Sequence, residues 1–197
     1  MALQTPNAKR ESEVDQVRER LLQAANELFY KEGVQAVGID RILRHAGAAK
    51  ASLYTHFQSK DELVAAYLDR RGAQWRQQVL EELEKKGGSP RQRLLLLFDL
   101  LATWTCSREF RGCPFINITG ELSAPDHPAH AVTRRYRDWL RKLVGRLVAE
   151  TGLEEVEQTT QSIVILYDGA LSGALVDSNR EAAAAARWTL EKLLPSQ

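Results

Sequence analysis

The sequence predicts an all-α protein, an N-terminal three-helix helix-turn-helix domain followed by a larger helical domain. Three observations carry this. Apolar residues recur at steps of three and four from end to end, and no stretch alternates as a strand would. Glycines at 33, 47 and 152 and starts at Ser59, Ser89-Pro90 and Cys113-Pro114 divide that periodicity into separate helices. Near the N-terminus two short periods meet at Ala46-Gly47, the spacing of a helix-turn-helix.

Taken in order, Val14, Val17, Leu21, Ala24, Ala25 and Leu28 mark a first helix over 12–31, stopped by Gly33. Ile39, Ile42, Leu43 and Ala46 mark a short second helix closed by Gly47, and Ala49, Leu53 and Phe57 a third of about two turns. Ser59 and Glu62 form a capping box opening a long fourth helix to about residue 85. Gly87-Gly88 is a flexible point, after which Ser89-Pro90 starts a fifth helix carrying Leu94, Leu97, Leu101 and Trp104. Further helices follow over 114–123, 128–151, 154–177 and 179–194. The domain shift is placed along the fourth helix, giving a helix-turn-helix domain over 10–60 and a second domain over 61–197.

Composition bounds the function. With 44% apolar and 27% charged residues, the 197-residue chain reads as a soluble globular protein long enough to bury a core. The net charge of +1 is silent on nucleic acid, but residues 37–60 hold Arg41, Arg44, Lys50 and Lys60 against Asp40 alone, a local basic surface. Two cysteines, Cys106 and Cys113, fit a reducing cytoplasm, and the polar N-terminus has no signal core. The longest apolar run, 94–104, falls short of the ~20 residues of a membrane span, so no membrane partner is expected. No phosphate-cradling glycine loop, H-E-x-x-H or G-x-S-x-G occurs, so neither an enzyme nor a cofactor is expected. His127 and His130 flank Pro128 without a tight ligand pair, and no metal site is predicted.

The stretch GAAKASLYTHFQSKDEL, residues 47–63, carries the functional reading. With Leu53 toward the core, Ala49 and Phe57 fall on the same side, while Lys50, Ala51, Tyr54 and Thr55 cover the other. Small residues at 48, 49 and 51 permit close approach to a major groove, and Lys50, Ser52, Tyr54, Thr55 and His56 can reach bases or phosphates. A tight helical corner in a ligand carrier that binds no DNA is the competing reading.

These residues, with Leu22-xx-Ala25-xxx-Phe29-xxx-Gly33 and Ile39-xx-Ile42-xxx-Ala46-Gly47, resemble the recognition region of the TetR family of bacterial repressors over roughly residues 14–63. The resemblance implies that Lys50, Ala51 and Ser52 meet the groove while Tyr54, His56 and Lys60 grip phosphates. One departure stands out: the family usually caps the second helix with a hydroxyl residue, and here Gly38 takes that place. The resemblance further implies a homodimer, a double-stranded DNA operator and a small-molecule effector that releases it.

For the second domain, the residues read as effector contacts are Phe98, Leu101, Trp104, Phe110, Cys113, Phe115, Trp139 and Tyr167, a lining suited to an apolar or aromatic molecule. The dimer face is expected on the two long helices over 128–151 and 154–177, through Leu140, Val144 and Leu147 on one and the small residues Gly169 and Gly173 on the other. The element RGCPFINITGEL, 111–122, resembles a GC-x-x-x-N-x-x-x-E pattern found in part of the family. There Cys113, at a predicted helix start, is either an electrophile-sensing thiol with a lowered pKa or a small buried residue closing a turn.

Overall fold

The computed structural model describes the backbone of residues 6–195 and the side chains of residues 15–195. The side chain of Val14, the first apolar residue assigned to the first helix, lies outside the described residues. The described elements are helices: α1 (Pro6–Glu32), α2 (Ile39–Ala46), α3 (Lys50–His56), α4 (Lys60–Lys86), α5 (Pro90–Thr105), α6 (Pro114–Glu121), α7 (Pro128–Ala149), α8 (Val156–Val176) and α9 (Ala182–Leu193). Each falls where the periodicity expects one, with ends displaced by a few residues. The largest displacement is at α1, which begins at Pro6 rather than near residue 12.

The chain forms two compact units. One holds the residues up to Arg70 together with Asn117–Val132, and the other holds Arg71–Ile116 and the chain from Thr133 onward. The first unit therefore extends ten residues into α4 beyond the expected boundary at residue 60, and takes back a later segment of chain. Helices α4, α6 and α7 each contribute residues to both units.

In the first unit Leu21, Ala25, Ile42, Leu53, Leu63 and Leu68 are fully buried, and Phe29 meets Tyr67 edge-on at 5.7 Å. The turns that bring α1, α2 and α3 together are set by glycine. Gly47 closes α2 in the left-handed conformation (φ 59°), and its amide and that of Ala48 bond back to Arg44 and Leu43 carbonyls. Gly38 caps α2 through backbone alone, with no side-chain bond.

In the second unit α5 is anchored by a reciprocal capping box. The Ser89 Oγ accepts from the Gln92 amide at 3.3 Å, and the Gln92 Oε1 accepts from the Ser89 amide at 2.9 Å. Leu94, Phe98 and Leu101 of α5 are fully buried, as are Ile163 of α8 and Ala183 and Leu190 of α9. Arg187 of α9 reaches Asp99 of α5 at 2.6 Å.

Leu140, Val144 and Leu147, expected to face a second copy, are 2%, 1% and 1% exposed and lie buried within the single chain. The apolar stripe of α7 is satisfied by its own chain, so it offers nothing to a partner. Gly173 also serves packing within the chain: a Cβ there would lie 3.3 Å from the Cβ of Ala182, so it permits the close approach of the residue that opens α9. Gly169 is exposed, with open space around it.

Candidate functional site

The outward face of α3 is assembled by one buried residue and one cap. Leu53 is fully buried and Phe57, the extended residue closing the helix, is 3% exposed, so the rest of this seven-residue helix is turned outward. Lys50, Ala51, Tyr54 and Thr55 are exposed, and Ser52 and His56 half-buried. Tyr54 is 47% exposed, a large aromatic ring left in water that no core requirement explains. The Thr55 Oγ1 donates to the Ala51 carbonyl at 3.0 Å.

Ala49 departs from expectation. It is the extended N-cap of α3 (φ −76°, ψ 152°) and is exposed, so it does not share a buried stripe with Leu53. The helical wheel misplaces it because the helix begins one residue later.

Lys50 and Lys60 are the first residues of α3 and α4. A cation at a helix N-terminus lies beside the positive end of the helix dipole, an arrangement unfavourable by itself. A phosphate oxygen would meet amide donors and an ammonium at the same place. The Glu62 amide donates to the Ser59 Oγ at 3.1 Å, so the cap that opens α4 is in place beside Lys60.

The same unit has a surface hollow of about 520 Å³ lined by Glu27, Lys31, Glu32, Arg41, Arg44 and His45. Arg41 pairs with Glu32, and His45 lies 2.7 Å from Glu27. Apart from Leu28 its walls are polar or charged, unlike the mostly apolar lining of a site for an organic molecule. His127 is 8% exposed; its Nδ1 accepts from the Ala129 amide at 3.1 Å, and its Nε2 faces Asp61 at 3.3 Å. His130 places its Nε2 3.0 Å from the Ala124 carbonyl. Among the described residues no group of three His, Cys, Asp or Glu side chains is placed to hold a metal ion.

The second unit contains a cavity of about 400 Å³, inside the range of small-molecule sites. Two aromatic pairs form its walls. Trp75 and Trp104 lie 5.4 Å apart, and Phe115 stacks on Tyr136 at 3.9 Å and 6°. Gln74, Gln78, Thr103 and Ser107 add neutral polar groups, and Arg71 and Glu109 one charge of each sign. Cys113 lines the same space.

Of the expected effector contacts, Trp104, Cys113 and Phe115 line this cavity. Phe98 and Leu101 are fully buried core residues of α5, and Phe110 supports the wall by meeting Trp104 edge-on at 5.2 Å. Trp139 packs 5.8 Å from Tyr136, behind the lining. Tyr167 does not line the cavity but holds it. Its oxygen accepts from the Trp75 Nε1 at 3.1 Å, and the Tyr136 hydroxyl is hydrogen-bonded to it. Burial pushes both phenols above their ordinary range, so this network stays neutral.

Trp75 and Tyr136 are the wall residues that sequence reasoning missed. Trp75 interrupts a polar run, RRGAQWRQQ, and an aromatic ring amid polar neighbours was the signal that could have found it. Cys113 answers its two readings. Burial pushes its thiol up to about 11, outweighing the Ile116 and Phe115 amides that favour the thiolate. At neutral pH it is a buried thiol, without the lowered pKa expected of a sensor.

Residues 21–67 match the family model for bacterial regulatory proteins, tetR family. The chain is 26% identical over 166 residues to the transcriptional regulator LmrA of Bacillus subtilis, covering 82% of this chain and 88% of that one. It is 28% identical over 106 residues to the transcriptional repressor NemR of Escherichia coli, 53% of each. Among solved structures, SCO4454, a TetR-family transcriptional regulator from Streptomyces coelicolor, superimposes with a TM-score of 0.79 at 29% identity, over 90% of this chain and 97% of that one. No helix among the described residues is long and apolar enough to cross a membrane.

Proposed function

The chain belongs to the TetR family of transcriptional regulators, and from that premise we propose that it is a cytoplasmic repressor that binds a palindromic operator as a homodimer and is released by an apolar or aromatic small molecule. The observation that carries the reading is the face of α3, where Lys50, Ala51 and Tyr54 stand outward over a buried Leu53. A short helix seated by one leucine and showing small, cationic and hydroxyl-bearing groups has the shape and chemistry for a major groove. Lys60, Tyr54 and His56 take the flanking phosphates, and Gly38, lacking a hydroxyl, gives only its backbone.

Dimerisation follows from the size of that helix. A seven-residue helix touches only a few base pairs, and two copies related by a two-fold axis read two half-sites. The surface we assign to the second copy is on α8 and α9. Ile165, Val176, Trp188 and Leu193 are large apolar side chains left 47–75% exposed there, and Gly169 adds a small residue. The effector site is the aromatic cavity of the second unit, whose stacked rings favour a flat apolar molecule. An electrophile as effector gains no support from Cys113, whose thiol is protonated at neutral pH. Release requires that effector and operator favour different conformations, and the coupling is then reciprocal.

The test is fluorescence anisotropy with DNA from upstream of the protein's own gene, comparing the parent with Lys50→Ala and Tyr54→Ala. Each substitution removes an outward group without touching the core, so operator affinity should fall about tenfold or more with unchanged unfolding. Undiminished affinity in both variants would place DNA recognition elsewhere.

A further inference from the structure

The element 111–122 stands out in the sequence, and the cavity uses only its beginning. Its other end performs a separate task. The Glu121 carboxylate, at the last residue of α6, accepts from the Val34 amide at 2.8 Å and from the Gln35 amide at 3.2 Å, both through Oε2. The Gln35 Nε2 donates back to the Glu121 carbonyl at 3.4 Å. These amides belong to the turn joining α1 to α2, so the turn is held by a carboxylate from a helix distant in sequence.

Gly33 makes the approach possible. It is left-handed (φ 86°), and a Cβ there would lie 3.1 Å from the Glu121 Oε2, inside comfortable contact with a carboxylate held by two amides. Two successive amides converging on one anion form a small nest, and such charge-assisted bonds are stronger than neutral ones.

The start of the same helix lies in the cavity wall, where Cys113, Pro114 and Phe115 line the space. Phe115 is not free to give way. Tyr136 stacks on it at 3.9 Å, and a Cβ on Gly72 would meet its ring at 3.1 Å. A molecule filling the cavity therefore presses on the first turn of a helix whose last residue fixes the α1–α2 turn.

Resting on the reading of an effector-released DNA-binding protein, we infer that Glu121 is the positioning residue through which α6 reports cavity occupancy to the helix-turn-helix. Glu121 touches neither DNA nor effector. It sets where α2, and with it α3, starts, and it loses its grip when α6 moves. The motif then has one chemical task at each end, aromatic contact with the effector at Phe115 and amide capture at Glu121.

Gly72 supplies a way to press on α6 without knowing the effector. Amide hydrogen exchange at residues 34 and 35 is measured by NMR on the full chain for the parent, Glu121→Gln and Glu121→Ala, each with and without Gly72→Ala. Glu121→Ala should speed exchange at these two amides about tenfold or more, and Glu121→Gln less, because its amide oxygen still accepts. Glu121→Gln also serves should the alanine variant fail to fold. Gly72→Ala should change exchange at 34 and 35 in the parent and leave it unchanged once Glu121 is alanine, a non-additive cycle. Equal effects of Gly72→Ala in both backgrounds, or an effect confined to the surroundings of Phe115, overturns the inference. Binding of each variant to upstream DNA is read in parallel. A parent indifferent to DNA counts against the regulator reading, whereas the exchange cycle judges Glu121 independently.

Discussion

At the scale of single residues, the cavity thiol makes the sharpest statement. Cys113 is 7% exposed and burial holds its pKa at about 11, above its ordinary value of 9.0. The raised value gives a definite sign. Between the unfolded and folded pKa values the unfolded chain has lost this proton while the native chain keeps it, so stability falls as pH rises from about 9 toward 11. Cys113→Ala should flatten that part of the stability curve, measured by urea unfolding across alkaline pH. Cys106 is exposed, so alkylation by iodoacetamide at pH 8 should label Cys106 well before Cys113 in the folded protein. Prior labelling of Cys113 would contradict both its burial and its raised pKa. The proposed DNA contacts on α3 follow a different logic: Tyr54 is conspicuous for being left in water, and Lys50 for standing at the wrong end of a helix dipole.

At the scale of elements, helix ends decide more than helix interiors. The Ser89–Gln92 capping box satisfies two backbone amides at the start of α5, the helix whose Leu94, Phe98 and Leu101 are fully buried. Ser89→Ala should cost about 1 kcal/mol of stability, read from the urea midpoint at constant slope. A Cβ added at Gly38 would meet no atom within 4 Å, and the backbone there is extended. Gly38→Ser should therefore be tolerated and should stabilise α2 by roughly a few tenths of a kcal/mol. A loss of stability there would mean that the site is not the open cap described.

The elements also mark what a sequence can and cannot disclose. Helix positions were legible because apolar steps of three and four and glycine stops are local signals. The outward face of α3 was legible for the same reason, through Leu53 and Phe57. Ala49 was misplaced because periodicity cannot locate a helix start to within one residue. Leu140, Val144 and Leu147 were correctly seen as one apolar stripe, but a stripe does not say which surface will cover it. Trp75 and Tyr136 stayed hidden because they are far apart in sequence and converge on one cavity only through packing. Glu121 was visible as part of a pattern, yet its partners, the amides of Val34 and Gln35, carry no side-chain signature at all.

At the scale of the whole molecule, the proposed operator reading calls for two copies. Trp188 is 61% and Ile165 63% exposed, alongside Val176 at 75% and Leu193 at 47% on the same two helices. Replacing both with aspartate should convert a dimer to a monomer in sedimentation velocity, and weaken operator binding far more than it weakens the fold, because one seven-residue helix reads too little DNA alone. A pair of variants that remains dimeric would move the interface off this surface.

The central claim is that the outward face of α3 reads DNA as one half of a two-fold pair. Hydroxyl-radical footprinting of the protein on its own upstream DNA tests it most directly. The expected result is two protected segments related by two-fold symmetry, one helical turn or more apart, fading steeply as salt rises and lost in Lys50→Ala. A single protected segment, or protection indifferent to sequence and to Lys50, would contradict it.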